Sequence, residues 1–94
     1  MAGYQVVQIY RGGGWFASTD QSLVHAVFAN VRARLPQAKL FESGPMPDGC
    51  PVDFSIGNVP KSERRALWFL KLFCEHGGEP FAVDEYYFYV RFKD

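Results

Sequence analysis

The sequence predicts an α+β domain of the ferredoxin-like class, in the order βαββαβ, with a four-stranded antiparallel sheet and two helices on one face. Two segments have the apolar spacing of amphipathic helices, and four others are β-branched or alternate between apolar and polar residues. These segments follow one another in the split order of that fold. A second hydrophobic core would leave each half of the 94 residues too small, so we expect residues 1–94 to form a single domain.

The first strand is predicted over residues 4–11, Tyr-Gln-Val-Val-Gln-Ile-Tyr-Arg, which are rich in β-branched and aromatic types. Three glycines at 12–14 interrupt it, because glycine tolerates the backbone angles of a tight turn. An alternative pairs residues 6–11 with residues 15–18 as a hairpin around these glycines. That alternative adds one strand to the sheet.

The first helix is expected to begin near residue 19, because Ser18 and Gln21 have the spacing of a capping box. Pro36 should end the helix. Its core-facing stripe follows helical spacing and consists of Val24, Val27, Phe28, Val31 and Leu35.

The second half repeats the alternation of strand and helix. Residues 38–42 form a short strand candidate, and residues 43–51 form a loop with three prolines and two glycines. Strict alternation predicts a strand over residues 52–57. The second helix should cover residues 61–76, and the last strand residues 86–92.

Composition excludes several classes of protein. Ten Lys and Arg balance ten Asp and Glu, so no net charge draws the chain to nucleic acid or to anionic lipid. No apolar run reaches the roughly 18 residues of a membrane span, and the N-terminus lacks a secretory pattern. We therefore expect a cytoplasmic protein without a membrane partner. The only two cysteines, Cys50 and Cys74, are expected to stay reduced.

The sequence contains no strong motif for anion binding, metal binding or catalysis. Arg11 and the glycines at 12–14 could approach an anion, but they lack phosphate-loop spacing, and a plain turn is favoured. The cysteines and histidines lack metal-ligand spacing, and Cys74 and His76 diverge on a helix. Asp84 and Glu85 are typical charged turn residues. We expect no metal, no cofactor and no catalytic residue, and an enzyme is disfavoured.

The informative feature is the helix-free face of the predicted sheet. First and last strands are neighbours in this fold, which would place Tyr4 and Tyr10 beside Tyr87, Tyr89 and Arg91. Such residue types are enriched at protein interfaces. The candidate binding residues are Tyr4, Tyr10, Arg11, Trp15, Tyr87, Tyr89 and Arg91.

These residues favour a small non-catalytic module that binds a protein partner or a second copy through this face or through the 43–51 loop. Many prokaryotic and phage-encoded inhibitor proteins share its size and neutrality. Three alternatives stay open: tyrosine pairs that only stabilise an exposed sheet, a dimeric domain that binds a small ligand or acts as an enzyme, and a single-strand nucleic-acid binder. The last is disfavoured, because the third strand lacks the glycine and aromatic signature of RNA-binding sheets.

Overall fold

The computed structural model describes residues 4–43, 47 and 49–93, and over these it contains six strands and two helices. The strands are β1 (Tyr4–Tyr10), β2 (Trp15–Ser18), β3 (Lys39–Glu42), β4 (Val52–Gly57), β5 (Glu79–Val83) and β6 (Tyr87–Lys93). The helices are α1 (Gln21–Arg34) and α2 (Glu63–Glu75). All paired strands are antiparallel, and their order across the sheet is β3-β4-β2-β1-β6-β5.

The α+β class is confirmed, but the four-stranded ferredoxin-like sheet is wrong, because the sheet has six strands. One added strand is β2, which pairs with β1 around the glycine turn as the hairpin alternative predicted. It lies between β1 and β4 and separates two strands that would otherwise be neighbours. The other is β5, an edge strand containing Pro80. Proline is tolerated at a sheet edge, where its missing N–H need not face a neighbouring strand.

One face of the sheet packs against both helices and encloses the core. The alternating positions of β1, β2, β4 and β6 supply its sheet side: Val7, Ile9, Phe16, Val52, Phe54, Ile56, Val90 and Phe92. The helices supply Val24, Val27, Phe28, Val31, Ala66, Phe69, Leu72 and Phe73. Phe16 contacts Phe69 and Phe73 edge to face, with ring centroids 5.0 and 5.1 Å apart.

The opposite face of the sheet carries the other alternating residues, and we call it the open face. No helix of the described residues packs on it, since the buried faces of α1 and α2 both belong to the core cluster. Its central residues are Val6, Gln8, Tyr10, Trp15, Ala17, Tyr87, Tyr89 and Arg91.

The predicted capping box of α1 is wrong by two residues. The cap is Asp20, whose carboxylate accepts the Leu23 N–H at 3.1 Å. Ser18 instead accepts the Asp20 N–H at 3.0 Å and orients the residue that caps the helix. The α1 stripe from Val24 to Val31 is buried as expected. Helix α2 begins two residues later than the predicted position 61, with Ser62 accepting the Arg65 N–H at 3.1 Å.

The glycine segment at 12–14 is the turn of the β1–β2 hairpin. Gly13 and Gly14 have φ of 86° and 90°, which side chains rarely adopt. A Cβ at Gly13 would lie 2.5 Å from the Ser62 carbonyl oxygen, so this turn packs directly on the start of α2. Glycine is therefore needed in this turn for its positive φ and, at Gly13, for the close approach to the Ser62 backbone.

Two further observations concern the cysteines and the helices. Cys50 and Cys74 are free thiols, and burial raises the pKa of the Cys74 thiol. Within the part of the chain that the structure describes, neither helix has the length and apolar character required to cross a bilayer.

Candidate functional site

Strands β1 and β6 lie side by side, so the predicted juxtaposition of the first and last strands is confirmed. Tyr10 is opposite Tyr87, and Gln8 is opposite Tyr89. Further along the same pair, Tyr4 is opposite Lys93, although the Tyr4 side chain lies outside the described part of the structure. Two terminal segments of the chain thus build the centre of the open face.

Five aromatic side chains cross the open face as a continuous line that we call the aromatic row. Its members lie on β2, β1, β6 and β5, and in spatial order they are Trp15, Tyr10, Tyr87, Tyr89 and Phe81. Neighbouring ring centroids along the row are between 6.0 and 6.4 Å apart, at edge or tilted angles. Such geometry favours aromatic pairs. The row is therefore a preformed surface rather than a set of separate rings.

Phe81 joins the row because β5 has an irregular register. The pairing of β5 with β6 shifts between Pro80 and Ala82, so one extra residue stands opposite β6. Phe81 lies in this bulge, 6.2 Å from the Tyr89 ring, and 45% of it is exposed. The sequence alone did not predict this strand, and Phe81 was missed with it.

Arg91 extends the row at its β5 end and is paired there. Its guanidinium forms a salt bridge with Glu79 at 2.6 Å and lies over the Phe81 ring, 5.4 Å from the centroid. The cation is thus offset by a carboxylate on the neighbouring strand.

Asp84 fixes the turn between β5 and β6. One carboxylate oxygen accepts the backbone N–H groups of Tyr86 and Tyr87 at 2.8 and 2.7 Å. The other accepts the Tyr89 hydroxyl at 2.6 Å. The Tyr89 hydrogen bond, followed by the two backbone bonds, lowers the pKa of Asp84, and the same hydroxyl contact raises the pKa of Tyr89. An ionised carboxylate is therefore held beside the aromatic row.

Arg11, predicted as a binding residue beside the glycine turn, does not join the row. Its guanidinium donates to the Glu63 carboxylate at 2.9 Å and to the Asp84 carbonyl at 2.6 Å. It also lies over Phe88, whose position alternates with those of Tyr87 and Tyr89 and belongs to the helix side of β6. Arg11 therefore ties β1 to α2 and to the β5–β6 turn.

Tyr86 is a further exposed ring that the sequence placed incorrectly. The predicted strand began at this residue and turned it toward the helices, whereas β6 begins at Tyr87. Tyr86 is in the turn, 57% exposed, with its ring 6.5 Å from that of Tyr87. The Asp-Glu pair before it was the available signal, since such pairs are typical of turns.

Elsewhere on the described surface Glu42 contacts both His25 and Gln21, but these side chains do not form a metal site. Among the described residues, no group of three His, Cys, Asp or Glu side chains could hold a metal ion. A depression of about 240 Å³ lies beside the start of α2 and is lined by Pro60, Ser62, Arg64, Arg65 and Trp68. Of the predicted 43–51 loop surface, residues 44–46 and 48 lie outside the described residues.

No protein-family model, curated protein or solved structure gives a significant match to this chain. Its function is therefore inferred from the residues and geometry of the open face.

Proposed function

We propose that this chain is a small non-catalytic protein-binding module that acts through its open face. The observation that carries the proposal is the aromatic row, which crosses four strands with its rings in mutual contact. Tyrosine and tryptophan dominate interface hot spots, because they bury a large apolar area and keep a polar tip. Rings already packed together lose little side-chain entropy on binding.

The exposed fractions of these aromatic rings support contact with a partner rather than a purely structural role for the rings. Tyr10 and Phe81 are 39% and 45% exposed, and Tyr86, whose ring contacts that of Tyr87, is 57% exposed. Cross-strand pairing accounts for rings that contact each other, but it leaves these outer surfaces in water. A contiguous exposed apolar patch on a small domain is typical of an interaction site.

The charges of the open face favour protein over nucleic acid. Arg91 is paired with Glu79, and the Asp84 carboxylate lies at the Tyr89 hydroxyl. Single-stranded nucleic acid requires cations beside the stacking rings, and its phosphates would be repelled by this carboxylate.

The proposed mechanism is occlusion of a surface on the partner. On this proposal the open face acts by covering what it binds, and the chain is a prokaryotic or phage-encoded inhibitor protein. A cytoplasmic partner is consistent with the two free thiols, since reducing compartments preserve them.

The test is capture of partners from a nuclease-treated extract of the native host with tagged protein. The double variant Tyr10→Ala/Tyr87→Ala should lose the partner. Leu67→Ala is the matched control, because Leu67 is an exposed apolar residue on α2, 48% exposed, and it should retain the partner. Circular dichroism checks that both variants are folded.

A partner retained equally by the folded double variant would show that the open face is not the binding surface. The mass of the complex separates a foreign protein from a second copy of this chain. A parallel capture from an untreated extract completes the test: a partner found there and absent from the nuclease-treated extract would instead support the nucleic-acid alternative.

A further inference from the structure

Three rings at one end of the aromatic row enclose a shallow depression, which we call the aromatic dish. Tyr10, Trp15 and Tyr87 line it, and its volume is about 260 Å³. The three centroid separations are 6.4, 6.0 and 5.5 Å, and the ring planes are inclined by 83°, 61° and 47°. Because each ring contacts both others, the dish is held in shape without a ligand.

Among the described residues, no arginine lies over a ring of the aromatic dish. Within the described residues, cation–π contacts are made by arginines at four other rings, in the pairs Arg11–Phe88, Arg32–Phe28, Arg65–Trp68 and Arg91–Phe81. None of these contacts involves a ring of the dish.

The electrostatics beside the dish favour a positive ligand. Tyr87, a wall of the dish, donates its backbone N–H to the Asp84 carboxylate, and Glu85 is exposed next to it. Two cations are near the dish: Arg11 is bound to Glu63 and Phe88 on the helix side, and the Lys61 side chain lies close to Gly14, which precedes Trp15. Aromatic faces and a carboxylate both attract cations and disfavour anions.

We propose that the aromatic dish is the anchor site for an arginine side chain of the protein partner. This inference rests on the proposed function of the open face and names the chemistry that the face recognises. Arginine is favoured over lysine, because its planar, weakly hydrated guanidinium stacks on aromatic faces. The partner should therefore present an exposed arginine within an otherwise apolar contact surface.

The first experiment measures binding of a short arginine-containing peptide through the fluorescence of Trp15. Trp68→Phe removes the other tryptophan, so that the signal comes from the dish. The control peptide contains citrulline, which has nearly the same shape as arginine but no charge. We expect saturable quenching by the arginine peptide and an affinity about fivefold lower for the citrulline peptide, the factor that corresponds to about 1 kcal/mol.

Peptide binding by variants of the dish should depend on whether the aromatic ring is kept. Tyr87→Leu should abolish quenching, and Tyr87→Phe should retain it, since the ring is kept. Tyr86→Ala removes an exposed neighbouring ring outside the dish and should leave the affinity unchanged. If Tyr87→Leu is unfolded by near-ultraviolet circular dichroism, Tyr10→Leu replaces it. The Trp15 indole N–H shift in wild-type protein provides the same readout without the Trp68 substitution.

Equal affinity for the two peptides, or quenching that persists in the folded Tyr87→Leu variant, would overturn the arginine anchor. If the partner is lost from Tyr10→Ala/Tyr87→Ala while the arginine peptide does not bind, the open face is the binding surface and the anchor inference is wrong. If the partner is retained by that double variant, the proposed function is itself wrong.

Discussion

Asp84 shows how one side chain organises the candidate site. It accepts hydrogen bonds from two backbone N–H groups and from the Tyr89 hydroxyl. The same residue supplies a carbonyl oxygen to the Arg11 guanidinium at 2.6 Å. A single turn residue thus positions Tyr86, Tyr87 and Tyr89 and links the open face to the helix side.

Removing the Tyr89 hydroxyl should change the titration of Asp84. That hydroxyl is the largest cause of the lowered pKa, so Tyr89→Phe should raise the Asp84 pKa toward its ordinary value of 3.8. Carboxyl carbon shifts in an NMR pH titration measure this. An unchanged Asp84 pKa in Tyr89→Phe would show that the hydroxyl does not hold the carboxylate in solution.

The lowered pKa also predicts a pH dependence of stability. A group whose pKa is lower in the folded state stabilises the fold above the unfolded-state value, and this contribution is lost as the pH falls through the folded pKa. Wild-type protein should therefore lose stability below about pH 4 more steeply than Asp84→Asn, which cannot ionise. Urea unfolding at a series of acidic pH values compares the two. Identical acid dependence would contradict the prediction.

At the scale of elements, three hairpins build the sheet, and their turns decide which residues meet. The β1–β2 turn packs on the first residues of α2, and the β5–β6 turn is closed by Asp84. The two edge strands differ, because β5 carries Pro80 and a bulge, whereas β3 keeps a regular register with β4. Proline and bulges protect a sheet edge from pairing with another chain.

Gly13→Ala should lower the free energy of unfolding more than an alanine substitution at another glycine of similar φ. Gly13 has φ of 86° and its Cβ would meet Ser62 backbone at 2.5 Å, so we expect a loss of about 2 to 4 kcal/mol. Gly77 has φ of 96° with open space around it, and Gly77→Ala should cost only about 1 to 2 kcal/mol. Denaturant unfolding measures both. Equal losses would show that the approach of the turn to α2 contributes nothing.

At the scale of the whole molecule, the helices cover one face of the sheet and leave the other to solvent. Burial of the covered face supplies the stabilising apolar contact, with Phe16, Phe69 and Phe73 meeting between sheet and α2. On the open face Tyr10 and Phe81 are exposed, and Trp15, Tyr87 and Tyr89 are half-buried. Because the row and the core lie on opposite faces of the sheet, residues of the row can be substituted without removing core contacts.

Alanine substitutions at two positions on α2 should differ in their loss of stability, because one side chain is buried and the other is exposed. Phe69 is fully buried, so Phe69→Ala should cost about 3 to 5 kcal/mol. Leu67 is 48% exposed, and Leu67→Ala should cost less than about 1 kcal/mol. Thermal and urea unfolding compare them with wild type. A Leu67→Ala loss as large as that of Phe69→Ala would mean that Leu67 is covered in solution.

Local pattern was sufficient for several features of this protein. The stripe of α1, the second helix and the alternation of Val52–Gly57 follow from residue spacing, which is a short-range property. The neighbouring positions of Tyr10 and Tyr87 followed from the expected adjacency of the first and last strands, and that adjacency survives in the larger sheet.

Contacts between distant segments decided the rest. Strand β2 was predicted only as an alternative, and pairing with β1 and β4 selects it. Strand β5 contains proline, so its own residues do not specify a strand, and pairing with β6 stabilises it. The Arg11 guanidinium is held at the start of α2 by the carboxylate of Glu63, 52 residues away, a contact that local pattern does not predict. Residue spacing fixes which side chains share a face of one segment, but only long-range pairing determines which segments, charges and rings finally meet.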